Sequence, residues 1–149
     1  MTVRGMTCDP RLSGYLSRAL SHEMAAVQQY LLQAKLAGIW GLSAQSARFR
    51  QDANEELMHA ERLMERMLVL GIPCNATQLP AVRPGRTLEE MLQIDRLLEV
   101  DVIRLYEEAA LYCARRQDGE TQALMLALLD DELGHLKDLD QQLYELQKV

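Results

Sequence analysis

Residues 54–62 read NEELMHAER and residues 130–138 read DDELGHLKD, and each stretch contains the pattern Glu-x-x-His. The four residues of the two patterns are Glu56, His59, Glu132 and His135. On an α-helix, side chains three residues apart are neighbours on one face, so each pattern can present a carboxylate and an imidazole to one metal ion. A single copy occurs easily by chance, and a surface ion pair is then the simpler interpretation.

The two patterns belong to an internal repeat, in which the second half of the chain reproduces polar residues of the first half at one constant offset. Glu23 precedes the first pattern by the same spacing that separates Glu99 from the second. The repeated residues are Glu23, Tyr30, Glu56 and His59 in the first half and Glu99, Tyr106, Glu132 and His135 in the second half. An apolar stripe that merely tolerated an occasional charge would not reproduce four polar residues in register. The repeat therefore favours a shared site.

Glycine and proline divide the chain into four segments in which apolar residues recur every three or four positions, the period of an α-helix. The predicted helices begin at Asp9 or Pro10, near Ser43, at Thr87 with Glu90 as its capping-box partner, and near Thr121; they end around residues 38–41, at Gly71, near Arg116 and at the C-terminus. Each helix is about 25 to 30 residues long, which is typical of a bundle.

Residues 71–85, GIPCNATQLPAVRPG, contain three prolines and are long for a bundle connection. They predict a crossover between helices that are not hairpin neighbours. The predicted fold is therefore an all-α four-helix bundle with a long crossover between the second and third helices, forming a single domain over residues 1–149.

The repeated polar residues lie within predicted inward stripes. The stripes are Leu12, Tyr15, Leu16, Ala19, Leu20, Glu23, Val27 and Tyr30; Phe49, Ala53, Glu56, His59, Leu63, Met67 and Leu70; Met91, Ile94, Leu98, Val102, Leu105 and Ala109; and Leu124, Leu128, Leu129, Glu132, His135, Leu139, Leu143 and Leu146. Burying carboxylates among such neighbours costs several kcal/mol per ion unless cations or protons neutralise them.

Two divalent metal ions would balance four carboxylates in formal charge, and oxygen ligands with some nitrogen suit iron or manganese. One arrangement uses every ligand. Glu23 and His59 serve one ion, Glu99 and His135 serve the other, and Glu56 and Glu132 bridge the two. The set, one Glu from each of two helices and Glu-x-x-His from each of the others, is typical of ferritin-like di-iron and di-manganese proteins. A buried ion network without metal is the alternative.

The amino-acid composition indicates the type of core, the kind of partner and the location of the protein. Apolar residues make up 48% of the 149 residues but aromatic residues only 5%, which favours a helical core of Leu, Met and Ala. The net charge of −6 and the absence of a basic block argue against a nucleic-acid partner. Cys8, Cys74 and Cys113 are far apart, and the sequence offers neither a secretion signal nor a membrane span, so we expect free thiols and a cytoplasmic location.

Four stretches of the chain resemble the four helices of bacterioferritin, in order and nearly without gaps. They are LSHEMAAVQQYLLQAKLAGIWGL (20–42), EELMHAERLMERMLVLGIP (55–73), LEEMLQIDRLLEVD (88–101) and LLDDELGHLKDLDQQL (128–143). The resemblance implies a ferroxidase centre that binds two iron ions per subunit and passes electrons to O₂ or H₂O₂. It places the centre at Glu23, Glu56, His59, Glu99, Glu132 and His135, with Tyr30 as the nearby tyrosine. It also implies homo-oligomers, either antiparallel dimers or a 24-subunit shell that stores ferric mineral.

The chain departs from the family pattern at three places. Leu57 occupies the position of the haem-ligating methionine, and Met58 is turned about 100° away around the helix, so haem held in the usual way is not expected. Gln51 and Glu55 stand where an accessory iron site has His and Asp. The sequence ends where the family's fifth helix would begin, so co-assembly with a haem-binding bacterioferritin subunit is an open possibility for its partners.

Two further readings of the function stay open at this stage. The same di-metal centre could serve a small-oligomer oxidase or peroxidase without mineral storage, or the metals could only stabilise a structural or regulatory bundle. Among the other polar residues, we interpret His22 as a surface or interface residue. Tyr106 mirrors Tyr30 and could be a redox tyrosine, but we favour its interpretation as an amphipathic tyrosine of the core.

Overall fold

The computed structural model describes residues 9–74 and 79–148, and within these ranges it contains four α-helices. They are α1 (Pro10–Ile39), α2 (Ser43–Val69), α3 (Leu88–Arg115) and α4 (Gly119–Gln147). Their lengths of 30, 27, 28 and 29 residues fall within the predicted range. The prediction of an all-α four-helix bundle is confirmed. Cys8 lies outside the described residues.

Side-chain caps fix the starts of three helices. The Asp9 carboxylate accepts the backbone N–H of Arg11, and Pro10 follows in the first turn of α1. Thr87 accepts the N–H of Glu90 at 3.1 Å, as the predicted capping box requires. The Glu90 carboxylate, however, accepts the N–H of Arg86 instead of that of Thr87.

The fourth helix starts two residues earlier than the sequence predicts. Asp118 caps it by accepting the backbone N–H of Thr121 at 3.1 Å, and Gly119 is already helical. A glycine favours the end of a helix over its beginning in sequence-based reasoning. Here the aspartate cap sets the boundary, because it satisfies a backbone donor that would otherwise lack a partner.

Three helices end in the same hydrogen-bonded turn. Leu42 N–H donates to Ala37 C=O at 2.9 Å, and the corresponding bonds join Ile72 to Met67 and Asp118 to Cys113 at 2.8 and 2.9 Å. This bond runs from the third residue beyond the helix back to its last turn, and it requires a left-handed residue just before the donor. Gly41, Gly71 and Gln117 fill that position with φ of 79°, 73° and 56°.

Two apolar clusters reveal the direction of the helices. One cluster joins the first half of α1 to the second halves of α2 and α3 and to the start of α4, and it includes Leu16, Leu63 and Leu128. The other joins the second half of α1 to the first halves of α2 and α3, and it includes Phe49 and Met91. Helices α1 and α4 therefore point one way and α2 and α3 the other, so the connection from α2 to α3 must run the length of the bundle.

The crossover is attached to α1 near its middle. The Gln29 side chain donates to the backbone carbonyl of Arg83 at 2.7 Å and accepts the N–H of the same residue at 3.0 Å. Gly85 passes close to α3, where an added Cβ would lie 2.9 Å from the backbone nitrogen of Met91. Residues 75–78 are not described. Within the described residues, none of the helices combines the length and apolar character that crossing a membrane requires.

Most residues of the predicted stripes are buried or half-buried, with two corrections. In α3 the buried stripe runs through Leu92, Asp95 and Ile103, so the predicted Ile94, Leu98 and Leu105 are only half-buried. The displacement arises because Asp95, which a hydropathy pattern rejects, is accommodated inside by Gln33 at 2.8 Å. Leu146 was predicted inside but is 37% exposed, because it lies in the last turn of α4, where solvent reaches the end of the bundle.

Candidate metal centre

The six predicted ligands lie together between the two apolar clusters. Each helix contributes: α1 carries Glu23, α2 carries Glu56 and His59, α3 carries Glu99, and α4 carries Glu132 and His135. The four glutamates are at most 2% exposed. His59 is buried as well, whereas His135 is half-buried and faces the surface between α2 and α4.

The Nδ1 atoms of the two histidines face the carboxylates. His59 Nδ1 lies 2.8 Å from Glu132 Oε1, 3.4 Å from Glu56 Oε2 and 3.6 Å from Glu23 Oε2. His135 Nδ1 lies 2.9 Å from Glu56 Oε1, 3.1 Å from Glu132 Oε2 and 3.8 Å from Glu99 Oε1. The two rings are stacked, with centroids 5.9 Å apart.

These distances define two overlapping groups. In each group, one ligand atom per residue lies within 4.8 Å of the others, as a single metal ion requires. The groups are Glu23, Glu56, His59 and Glu132, and Glu56, Glu99, Glu132 and His135. Both contain Glu56 and Glu132, which is the distribution expected of two bridging carboxylates. The binding of metal ions by these residues stays a prediction.

Burial and crowding distribute protons unevenly over the glutamates. Burial, with Glu56 as a second cause, raises the pKa of Glu23 from 4.5 to about 7. Burial also raises the pKa of Glu99 well above its usual range, and Glu132 adds to the effect. Burial opposes the ionisation of Glu132 too, but its contacts with Glu99, His135 and His59 lower its pKa to about 2. Glu132 thus stays ionised.

The histidines counterbalance this charge. Burial favours the neutral ring, but the hydrogen bonds of His135 to Glu132 and Glu56 raise its pKa to about 11. His59 is likewise held protonated, since the nearby carboxylates of Glu132 and Glu23 outweigh its burial and raise its pKa above the usual range. Protons therefore occupy the centre wherever cations do not, and binding of metal ions must release them.

The residues fit a pair of metal ions. Among the described residues, Glu23 Oε2 and Glu99 Oε2 are buried without a hydrogen-bond partner, which is costly for carboxylate oxygens. A cation near each would satisfy both oxygens. The donor set of carboxylates and imidazoles, without a thiolate, suits iron or manganese.

Two tyrosines support the carboxylates from opposite ends. The Tyr30 hydroxyl donates to Glu99 Oε1 at 2.8 Å, and the Tyr106 hydroxyl donates to Glu23 Oε1 at 2.5 Å. Each tyrosine thus contacts the glutamate of the other helix pair. The interpretation of Tyr106 as a core tyrosine was incomplete, because this fully buried residue also binds a predicted ligand. Its equivalence to Tyr30 in the internal repeat was the signal.

Sequence reasoning did not predict that two acids contact the histidines from outside: it named Glu55 only at the position of the accessory iron site, and it did not name Asp131. Asp131 Oδ2 lies 3.1 Å from His59 Nε2, and Glu55 Oε2 lies 2.5 Å from His135 Nε2. Both acids directly precede a predicted bridging glutamate, and they occupy equivalent positions in the internal repeat. That relation could have identified them.

Two cavities open on the centre between α2 and α4. One, of about 250 Å³, is lined by Glu55, Met58, His59, Arg62, Asp131 and His135. The other, of about 190 Å³, reaches Tyr30, Asp52, Glu55 and His135. Burial raises the pKa of Asp52 to about 6, so this acid titrates near neutral pH. Small solutes can approach the histidines from this side.

Three other residues singled out from the sequence lie away from the ligands. Leu57 is 41% exposed. Met58 lines the cavity beside His59, in agreement with its rotation around α2. His22 is half-buried in a cavity between α1, α3 and the crossover, and neither of its ring nitrogens has a hydrogen-bond partner among the described residues.

The chain is similar in sequence to ferritin-like proteins over most of its length. The family model of the ferritin-like domain matches residues 14–149. Bacterioferritin of Mycobacterium bovis is 31% identical over 145 residues, which are 97% of this chain and 91% of the relative. Bacterioferritin of Rhodobacter capsulatus is 33% identical over 138 residues, 93% of this chain and 86% of the relative. A bacterial ferritin of Synechocystis is 33% identical over 141 residues, with 94% and 90% coverage.

A solved structure of Rhodobacter capsulatus bacterioferritin superimposes on the chain with a TM-score of 0.92. The match has 31% sequence identity and covers 96% of this chain and 89% of the other. That protein is described with a metal-free dinuclear site and with haem iron in a crystallographic special position.

Proposed function

The chain belongs to the bacterioferritin family of ferritin-like proteins, and on that premise we propose that it is a ferroxidase acting through a single di-iron domain. It oxidises Fe²⁺ to Fe³⁺ for iron storage and detoxification. Each pair of ferrous ions gives up two electrons, and one molecule of O₂ or H₂O₂ accepts them.

One observation carries the proposal: two groups of ligand atoms share Glu56 and Glu132 in the buried middle of the bundle. An isolated metal site would need only one group. Each group also contains one carboxylate oxygen, Glu23 Oε2 or Glu99 Oε2, that is buried without a hydrogen-bond partner among the described residues and that a cation would satisfy. Two ions held by common carboxylates can be oxidised together, which is what a two-electron acceptor requires.

The ligands have separate tasks in this proposal. Glu23 and His59 would hold one iron, Glu99 and His135 would hold the other, and Glu56 and Glu132 would be shared by both. The iron pair supplies the redox change, which no side chain of the centre provides. The side chains fix the geometry, and Tyr30 and Tyr106 orient Glu99 and Glu23 through hydrogen bonds.

The protons of the centre are part of the mechanism. His59 and His135 must give up their Nδ1 protons before these nitrogens can ligate a metal ion, and Glu23 and Glu99 must ionise. Asp52, which lines one of the cavities between α2 and α4 and whose pKa burial raises to about 6, can accept such protons and pass them to solvent. Iron uptake is therefore coupled to proton release.

Homo-oligomerisation is part of the proposal. Dimers are the basic unit, and a 24-subunit shell would provide the space that mineral storage requires. Leu57 offers no ligand atom for haem, so haem held in the usual way is not expected in this subunit, and a co-assembled haem-binding bacterioferritin subunit could supply it. Iron is the metal, with two ions per subunit.

Aerobic addition of Fe²⁺ tests the ferroxidase activity. We expect a fast rise in the absorbance of the ferric product in the wild type and none beyond the protein-free control in Glu56→Ala. The matched control is Glu61→Ala, which removes an exposed glutamate from the same helix and should leave the fast phase intact. A wild-type protein that oxidises iron no faster than buffer would refute the proposal.

Native mass determination after iron loading tests storage separately. A shell that retains many irons per subunit supports it. A dimer that holds about two irons per subunit would instead identify a small di-iron oxidase.

A further inference from the structure

Each histidine of the centre has two ring nitrogens with different surroundings. Nδ1 faces the shared carboxylates, whereas Nε2 faces one acid outside the ligand set. His59 Nε2 lies 3.1 Å from Asp131 Oδ2, and His135 Nε2 lies 2.5 Å from Glu55 Oε2. The arrangement is the same on both sides of the centre.

A neutral imidazole carries one N–H and one lone pair, and only the nitrogen with the lone pair can ligate a metal ion. A carboxylate beside Nε2 only accepts hydrogen bonds when it is ionised, so it holds the proton on Nε2 and leaves the lone pair on Nδ1. The contacts of Asp131 and Glu55 thus select the tautomer that the centre requires.

The helix geometry explains how these acids reach the histidines. Each directly precedes a shared glutamate, and one residue corresponds to a turn of about 100° around the helix axis. Glu56 and Glu132 therefore point into the bundle, while Glu55 and Asp131 point along its surface toward the neighbouring helix. Glu55 of α2 orients the histidine of α4, and Asp131 of α4 orients the histidine of α2.

Both acids are themselves held in place. Gln51 donates to Glu55 Oε1 at 3.3 Å, and Arg62 lies 3.7 Å from Asp131 Oδ2. The Glu55 carboxylate is therefore engaged on both oxygens, by Gln51 and by His135. This differs from the accessory iron site that the family resemblance would suggest at positions 51 and 55.

We infer that Glu55 and Asp131 are positioning residues that fix the orientation and tautomer of His135 and His59. The inference rests on the proposed function, because it assigns these acids to the same metal centre. Loss of a residue that supports a metal ligand typically weakens metal binding about 10–100-fold. Each acid should affect mainly the ion on its own side.

Anaerobic titration with Co²⁺, which has a visible spectrum and does not turn over, measures binding without oxidation. The wild type should bind two ions. Glu55→Ala should weaken the ion held by Glu99 and His135 about 10–100-fold, and Asp131→Ala the ion held by Glu23 and His59. The control is Asp138→Ala, which removes a carboxylate from one of the same cavities without a hydrogen bond to either histidine.

Two further measurements separate positioning from charge and from stability. Glu55→Gln and Asp131→Asn keep an oxygen acceptor but lose the charge, so they should recover most of the affinity. In the Zn²⁺-loaded wild type, ¹⁵N NMR of the imidazoles should show the proton on Nε2 of both rings. The alanine variants should lose that hydrogen-bonded signal for one ring each.

Several results would overturn the inference. One is an equal loss of affinity in Asp138→Ala, or amide variants as weak as the alanine variants, since either would point to charge alone. Another is loss of a third Co²⁺ ion in Glu55→Ala with the first two unaffected, which would restore the accessory site. A wild type that binds no Co²⁺ would refute the proposed function and the inference with it, whereas unchanged binding in both alanine variants refutes only the inference.

Discussion

The first helix pair, α1 and α2, and the second pair, α3 and α4, carry the same residue types at the metal centre but different ones away from it. Glu23 and Glu99, and Tyr30 and Tyr106, are counterparts in the internal repeat and make equivalent contacts. Gln33 and Asp95 form a buried pair near Tyr30, but their counterparts in the repeat, Ala109 and Ala19, are packed in an apolar cluster.

The comparison shows which positions the chemistry constrains. A two-ion site needs equivalent ligands on both sides, so the repeat is exact at the six candidate ligands and at Tyr30 and Tyr106. Packing needs only that volume be filled and polar groups be paired. Ala19 and Asp95 are both acceptable at equivalent positions, provided that Asp95 has Gln33 as a partner.

The largest expected effect is on the number of metal ions bound, and it distinguishes a glutamate common to both ligand groups from a glutamate of one group. Glu132 belongs to both ligand groups, whereas Glu99 belongs to one. Glu132→Ala should therefore abolish binding of both Co²⁺ ions, and Glu99→Ala should leave one, held beside His59. Isothermal titration calorimetry gives the stoichiometry. If both variants retained the same number of ions, the two helix pairs would not share their carboxylates as the geometry indicates.

The raised pKa values of Glu23 in the first helix pair and of His135 in the second predict how the free energy of unfolding changes with pH. A pKa raised on folding, as for Glu23 to about 7 and for His135 to about 11, means that the folded state binds more protons than the unfolded state. The free energy of unfolding of the metal-free protein should thus fall as pH rises, through Glu23 between about 4.5 and 7 and through His135 between about 6.5 and 11.

Metal ions should reverse this dependence, since their binding requires the deprotonated ligands. At 100 times the dissociation constant, each ion adds about 2.7 kcal/mol to the free energy of unfolding. Denaturant unfolding at several pH values, with and without Co²⁺, measures both slopes. Glu23→Gln should flatten the metal-free slope below pH 7. A metal-free protein that becomes more stable from pH 5 to 8 would contradict the protonation pattern.

Asp95, the buried acid whose counterpart in the repeat is Ala19, should lower the free energy of unfolding at neutral pH. Burial raises the pKa of Asp95 well above its usual range, so the folded state holds this proton to a higher pH than the unfolded state does. Asp95→Asn should therefore stabilise the metal-free protein at pH 7 by about 1–3 kcal/mol, and this gain should vanish at pH 3. The exposed Asp101→Asn is the control. A gain that is independent of pH would rule out this explanation.

The smallest effect concerns the turns that close the two pairs. Gly41 and Gln117 occupy equivalent positions with positive φ, and only glycine adopts that conformation without strain. Gln117→Gly should raise the free energy of unfolding by about 1 kcal/mol, and Gly41→Gln should lower it by a similar amount. Thermal unfolding of both variants checks the prediction. Opposite signs would show that side-chain contacts, instead of backbone strain, decide the turn.

Much of the fold followed from the sequence because its signals are local. Gly41 and Gly71 marked helix ends, and Thr87 marked a helix start, since caps and left-handed turns depend on a few adjacent residues. The start of α4 and the buried face of α3 were less accurate. Both depend on polar residues, Asp118 and Asp95, whose partners hydropathy does not reveal.

The sequence predicted those residues of the metal centre that recur in the internal repeat. The spacing of Glu23, Glu56 and His59 recurs in the second half of the chain, and the structure brings both sets together. Glu55 and Asp131 were missed because an acidic residue on a polar helix face resembles any solvated side chain. Their contacts cross from one helix to another, and sequence spacing within a helix does not encode such contacts.

The sequence by itself therefore determined the helices, the crossover and the identity of six candidate ligands, because periodicity and repetition are properties of the chain. The tertiary structure decided which ring nitrogen faces the carboxylates, which acids stand behind the histidines, and which end of the bundle contains a buried acid. These features depend on how α2 and α4, and α1 and α3, face one another. Only the packed bundle brings those faces within hydrogen-bonding distance.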